Sequence, residues 1–182
     1  AMDITRRCDY ACRILRAAYR SGESRVPVSD VAEEESIPYA FARSIQHELV
    51  KAGLIKTVRG AHGGFALSCD PSDTTILDVL QAVQGPVSVS SCAADDQFCE
   101  KSEGCLYNKV WRGADHLLNE YFSKITLEGL FDKGVDHPAI KAAMAFDLGS
   151  CDCSDAASDE RPLNSEKGSS LHASATAKEP CA

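Results

Sequence analysis

Three short amphipathic segments followed at once by a glycine-rich hairpin pattern are what most narrows the folds open to this chain. From Ile4 to Tyr19 the apolar residues Ile4, Cys8, Ala11, Cys12, Leu15, Ala18 and Tyr19 fall on one face of a helix. Ser21-Gly22 ends it. Ser29 is the expected cap of a second, short helix through Val31 and Ala32 that stops near Ser36. Pro38 suits the first turn of a third helix, with Phe41, Ile45 and Leu49 as its buried stripe and Gly53 just past its end. Residues 54–59 and 65–68 then read as short strands flanking Gly60-Ala61-His62-Gly63-Gly64, whose glycines permit the positive φ of a hairpin. Two helices joined by a tight turn, with a hairpin behind them, outline a winged helix-turn-helix. The expected fold is mainly α with a small β-wing.

Further along, Ile76, Val79, Leu80 and Val83 predict a short helix ended by Gly85-Pro86. Residues 87–105 have no periodicity and hold Cys92, Cys99 and Cys105, spaced C-x6-C-x5-C. That is a long connection for the inside of a domain, which function or disorder explains. Val110, Ala114, Leu117, Leu118, Tyr121, Phe122 and Ile125 predict a long amphipathic helix over 106–125. Thr126 can cap a short turn through Leu130-Phe131, and a weaker helix follows Pro138 as far as Met144 or Phe146. From Asp147 onward small and charged residues dominate without aromatics, so disorder is expected. The organisation is a reading domain (2–84), a cysteine loop (85–105), a long helix with short helices behind it (106–146) and an acidic tail (147–182).

The formal net charge of −8 speaks against a uniformly basic nucleic-acid coat. It is unevenly spread. Residues 1–66 carry ten Lys and Arg against eight Asp and Glu, whereas 67–146 carry six against twelve and 147–182 three against seven. Only the N-terminal third can face a polyanion without strong repulsion. The apolar runs fall short of the ~20 residues a membrane span needs, and no leader pattern opens the sequence. A soluble, cytoplasmic protein is expected, with no membrane partner. In that reducing setting the nine cysteines point to metal binding or thiol chemistry rather than disulfides.

A recognition helix sends side chains from its N-terminal half to base edges in the major groove, while a wing follows the backbone. Here the third helix offers Tyr39, Ala40, Arg43, Ser44 and His47 from one side. Arg43 is the candidate for guanine, whose O6 and N7 accept two parallel guanidinium bonds. On the wing, Arg59, Gly60 and His62 are placed to meet backbone or minor groove. The same pattern also serves protein-interaction modules. The three loop cysteines are soft ligands for zinc, copper or an iron–sulfur cluster, but lack the C-x2-C knuckles of a zinc ribbon. A cluster would take its fourth ligand from elsewhere, and three reduced surface thiols remain the alternative. Cys8 and Cys12, one helical turn apart, are either small core residues or thiolate ligands. No nucleophile–base pair, phosphate loop or catalytic carboxylate pair is present, so an enzyme is not expected.

Residues 4–11 (Ile-Thr-Arg-Arg-Cys-Asp-Tyr-Ala), Val28-Ser29-Asp30-Val31-Ala32, Leu49-Val50-Lys51-Ala52-Gly53-Leu54, Val58-Arg59-Gly60 with Gly63-Gly64-Phe65, the three cysteines, Val110-Trp111-Arg112 and Ile125-Thr126-Leu127 occur in that order. The combination resembles the Rrf-two family of bacterial winged-helix regulators, with its IscR-, NsrR- and RirA-like branches, over about residues 2–133. The resemblance implies a homodimeric transcription factor on double-stranded promoter DNA, with the helix at 106–125 as the dimerisation element. It places an iron–sulfur cluster on Cys92, Cys99 and Cys105, close to the partner's first helix. Asn108 stands where the IscR-like branch has a histidine ligand, which disfavours a 2Fe–2S site of that kind. Asp9 stands where the NsrR-like branch has a carboxylate ligand, so a 4Fe–4S cluster completed by Asp9 of the partner is preferred, with Cys8 as the alternative and 2Fe–2S as the second cluster type. The implied signal is nitric oxide, redox state or iron. A cluster-free regulator responding through thiols or a small molecule is the runner-up, and an electron carrier a more distant one.

Overall fold

A computed structural model of the chain describes residues 4–22, 24–58, 63–94, 99 and 104–147. The expectations for Arg59, Gly60 and His62, for most of the segment between Cys92 and Cys105, and for the tail from 148 onward lie outside the described residues.

The first helix, α1 (Arg6–Arg20), buries Cys8, Ala11, Ile14, Leu15 and Ala18 on one stripe. It is the hub of the fold, packing against the third and fourth helices, the second strand and the seventh helix. Ile4 lies outside it and is exposed, while Ile14, absent from the expected stripe, is fully buried. The next two helices, α2 (Val28–Glu34) and α3 (Tyr39–Lys51), form the helix-turn-helix. Their turn is tight enough to hold Ser36 at φ +54°, and it buries Ile37, whose N–H donates to the Ala32 carbonyl at 2.8 Å.

Three local expectations are corrected here. Pro27, not Ser29, occupies the cap of α2, and the Ser29 hydroxyl bonds the Asp30 carboxylate instead. Pro38 sits in the cap position of α3 rather than inside its first turn. The inward stripe of α3 is Ala42, Ile45 and Leu49, leaving Phe41 half-exposed. Two turns of a 3.6-residue repeat back from Leu49 fall at position 42, not 41.

The wing is β1 (Ile55–Val58) paired antiparallel with β2 (Gly64–Leu67), in the register Ile55↔Leu67 to Val58↔Gly64. Val26 adds one bridge to Phe65 on the other edge. Gly64 is required there, because a Cβ would lie 2.6 Å from the Val26 carbonyl oxygen. Gly53, at φ +76°, turns the chain out of α3 as expected.

Helix α4 (Ile76–Gln84) opens with a capping box between Thr75 and Asp78 and ends at Gly85. A short helix, α5 (Ser91–Ala94), interrupts the segment expected to be irregular. The long helix is α6 (Leu106–Ser123), which starts just after Cys105 and is two residues shorter than expected. After it the chain returns beside the start of α4: Ile76 N–H donates to the Ile125 carbonyl and Leu127 N–H to that of Thr74. Thr126 caps α7 (Leu127–Lys133) through Gly129 N–H, as its position suggests. Tyr19 and Phe131 stack with centroids 5.3 Å apart, closing α7 onto α1. Last comes α8 (Pro138–Met144), capped by His137, whose Nδ1 accepts from Ala139 N–H at 3.2 Å. That buried histidine has a structural use the sequence did not suggest. Among the described residues no helix is long and apolar enough to cross a membrane.

Candidate nucleic-acid interface and cysteine loop

Helix α3 presents Tyr39, Ala40, Arg43, Ser44 and His47 to solvent while Ala42, Ile45 and Leu49 hold it to the core. Those five exposed positions are the ones its spacing singled out. Arg43 also lines a groove of about 420 Å³ with Pro27, Ser29, Gln46, Thr57 and Gly64, so it stands between the helix-turn-helix and the wing. A residue that the spacing did not reveal holds this surface from behind. The Arg7 guanidinium on α1 donates to Ser44 Oγ at 3.2 Å and forms a half-buried ion pair with Glu48. Arg7 and Ser44 are 37 residues apart, and no periodic signal links them. The Ser44 hydroxyl is thereby oriented from α1.

The arginines of α1 also grip the helix-turn-helix at its bend. Arg16 bonds Glu35 at 2.7 Å, and Arg13 is shared between Glu35 at 3.7 Å and Asp9 at 3.0 Å. Asp9 is exposed and opens on a cleft of about 510 Å³ lined also by Cys12, Arg13, Arg16, Arg20 and Phe131. Cys8 faces the opposite way. It is fully buried against Leu80 and Val87, and its thiol donates to Gln84 Oε1 at 3.0 Å. Burial, assisted by Cys8 and Asp9, pushes the Cys12 thiol up to about 12, so it stays protonated at neutral pH.

Cys92, Cys99 and Cys105 are free and half-buried. The first and last both lie near the start of α6. Cys105 stands just before this helix, and one turn inside it the buried Asn108 amide donates to the Cys92 carbonyl at 2.5 Å. Ser90 Oγ lies 3.0 Å from Cys92 Sγ. Among the described residues no three His, Cys, Asp or Glu side chains come together to hold a metal ion. On its remaining faces α6 leaves Leu106, Tyr107, Val110, Trp111 and Leu117 exposed. An apolar cleft of about 410 Å³ runs beside it, lined by Leu117, Leu118, Tyr121, Ala142 and Phe146.

The sequence profile of the Rrf2 family, described as an iron-dependent transcriptional regulator, matches residues 4–133. The chain belongs to the Rrf2 family. The HTH-type transcriptional regulator IscR of Photorhabdus laumondii is 31% identical over 130 residues, covering 71% of this chain and 79% of its own. IscR of Vibrio parahaemolyticus is 28% identical over 149 residues, covering 81% and 86%. Among solved structures, T. potens IscR superposes with a TM-score of 0.56 at 21% identity, over 82% of this chain and 95% of that one. CymR, the global cysteine regulator of B. subtilis, gives 0.58 at 22%, over 72% and 98%. The mainly helical architecture with a two-stranded wing is thus that of the Rrf2 winged-helix regulators. A DNA-binding transcriptional regulator of this family is the function these relatives support, and none of them points to an enzyme.

Proposed function

We propose that this Rrf2 regulator works as a homodimer whose two reading heads are set by an iron–sulfur cluster held on Cys92, Cys99 and Cys105. The observation that carries the reading is the bond from Asn108, one turn into α6, to the Cys92 carbonyl, which brings Cys92 to the end of the helix that follows Cys105. Three half-buried, unpaired thiols at the ends and middle of one segment are a donor set that suits a cluster. Relatives named IscR and a family described as iron-dependent support the same cofactor. Such a group supplies a centre sensitive to nitric oxide, oxidation or iron supply. The exposed apolar face of α6 supports pairing with a second copy, since an 18-residue helix leaving Leu106, Val110, Trp111 and Leu117 open has a seam to cover.

Asp9 is the fourth-ligand position we favour, from the partner subunit, with 4Fe–4S as the cluster type. Its carboxylate is presented at a cleft, whereas Cys8 is engaged inside its own fold by Gln84. Anaerobic purification with iron and sulfide assay, absorption spectroscopy and native mass spectrometry tests the reading. A coloured dimer is expected, with Asp9→Ala altering the cluster absorbance and Cys8→Ala leaving it in place. An unchanged spectrum in Asp9→Ala sinks that ligand assignment. A colourless protein that takes up neither iron nor sulfide favours the rival, a thiol- or small-molecule-responsive regulator, a reading favoured by the structural likeness to the cysteine regulator CymR.

A further inference from the structure

We propose that Asn108 and Asp115 are positioning residues that hold Cys92 in place before any cofactor arrives, making it the fixed anchor of the cysteine loop. This rests on the cluster reading above for its purpose, but not for its geometry. Asn108, Asp115 and Asn119 lie seven and four residues apart on α6, which puts them on one stripe of the helix. That stripe binds the chain leading into Cys92 at successive points. Asn119 Nδ2 donates to the Val87 carbonyl at 3.0 Å. Asp115 accepts from Ser88 Oγ at 2.5 Å and from Val89 N–H at 2.6 Å. Asn108 Nδ2 donates to the Cys92 carbonyl at 2.5 Å. Ser88 also accepts from Ser90 N–H at 3.4 Å, and Ser90 in turn lies 3.0 Å from the Cys92 sulfur.

Three of the bonds made by α6 side chains reach backbone groups, so they fix the path of the chain and not merely a rotamer. Asn108 is 5% exposed, so its amide has little water to bond in place of the Cys92 carbonyl. An asparagine also cannot supply the imidazole that the resemblance would have put at this position. Its amide serves the backbone of a ligand residue instead. Because α6 carries the exposed apolar seam on other faces, the position of Cys92 and the geometry of that seam belong to one rigid element.

The test compares wild type with Asn108→Asp, which keeps the size and removes the N–H donor, and with Asp115→Ala. Reduced, cluster-free protein is pulsed with iodoacetamide, and alkylation of each cysteine is read by peptide mass spectrometry. Cys99 is the internal reference, and fully buried Cys8 reports global opening. The Cys92-to-Cys99 rate ratio is expected to rise roughly tenfold in both variants with Cys8 still protected, the effect of losing bonds that gate local opening. A second arm reconstitutes each protein anaerobically with iron and sulfide, then challenges it with a chelator, and both variants should lose iron faster than wild type. An unchanged ratio in variants with wild-type circular dichroism overturns the proposal. So does Cys8 reacting alongside Cys92, which marks a purely structural role. Wild type that binds no iron refutes the cluster reading alone, since the alkylation arm decides the clamp without it.

Discussion

Replacing Phe65 by alanine is expected to cost about 3–5 kcal/mol of folding stability, the largest loss from any single substitution considered. Phe65 has no exposed surface and sits on β2 between Thr57 of β1 and the bridge to Val26. Its ring fills the junction where the wing meets α1, so its removal leaves a cavity lined by residues already fixed by helix packing. A hairpin of two four-residue strands has little stability of its own, and the wing depends on this anchor. Urea unfolding followed by circular dichroism measures the effect. A loss below about 1 kcal/mol would mean that the wing is held by something other than its packing on the core.

Arg43→Ala is expected to weaken operator binding by about 1–3 kcal/mol and to relax the preference at one base pair. Arg43 is exposed on α3 and stands at the groove between α2, α3 and the wing. Arg43→Lys should keep the charge while losing the two-pronged contact, so it should retain non-specific affinity and still lose discrimination. Titrations of operator and scrambled DNA at one fixed salt concentration separate the two terms. Equal loss on both sequences would assign Arg43 to phosphate, and no loss on either would remove it from the interface.

How far the fold was legible depended on how local its causes are. The extents of α4 and α6, most of the stripe of α1, the Thr126 cap and the Gly53 turn follow from spacing and backbone preference within a few residues. Phe41 misled because an aromatic one position from the true stripe outweighs an alanine in any hydrophobic pattern, although Ala42 is the residue that allows close packing. Ser29 misled because a good capping residue followed a proline that had already started the helix. The short α5 left no trace because four residues are too few for periodicity. At the candidate sites, residue types were readable and partners were not. Cys92, Cys99 and Cys105 stand out by chemistry, whereas the bonds of Asn108 to Cys92, Asp115 to Ser88 and Arg7 to Ser44 span 16, 27 and 37 residues. Only the folded chain brings them together.

The charge gradient acquires a structural meaning in the same way. The arginines of α1 are partly engaged within the protein, on Glu48 and Glu35, and among the described residues few basic side chains stay exposed on α3 and the wing. In the homodimer proposed above, recognition depends on the spacing of two copies rather than on a large basic surface.

The most direct measurement is an anaerobic mobility-shift titration of the protein on its own promoter, run with the reconstituted cluster and again after its removal. Cluster-gated spacing of the two heads predicts affinities that differ by roughly tenfold or more, a coupling of about 1.4 kcal/mol. Identical affinities in the two states, with iron and sulfide shown to be bound in one and absent from the other, would contradict it.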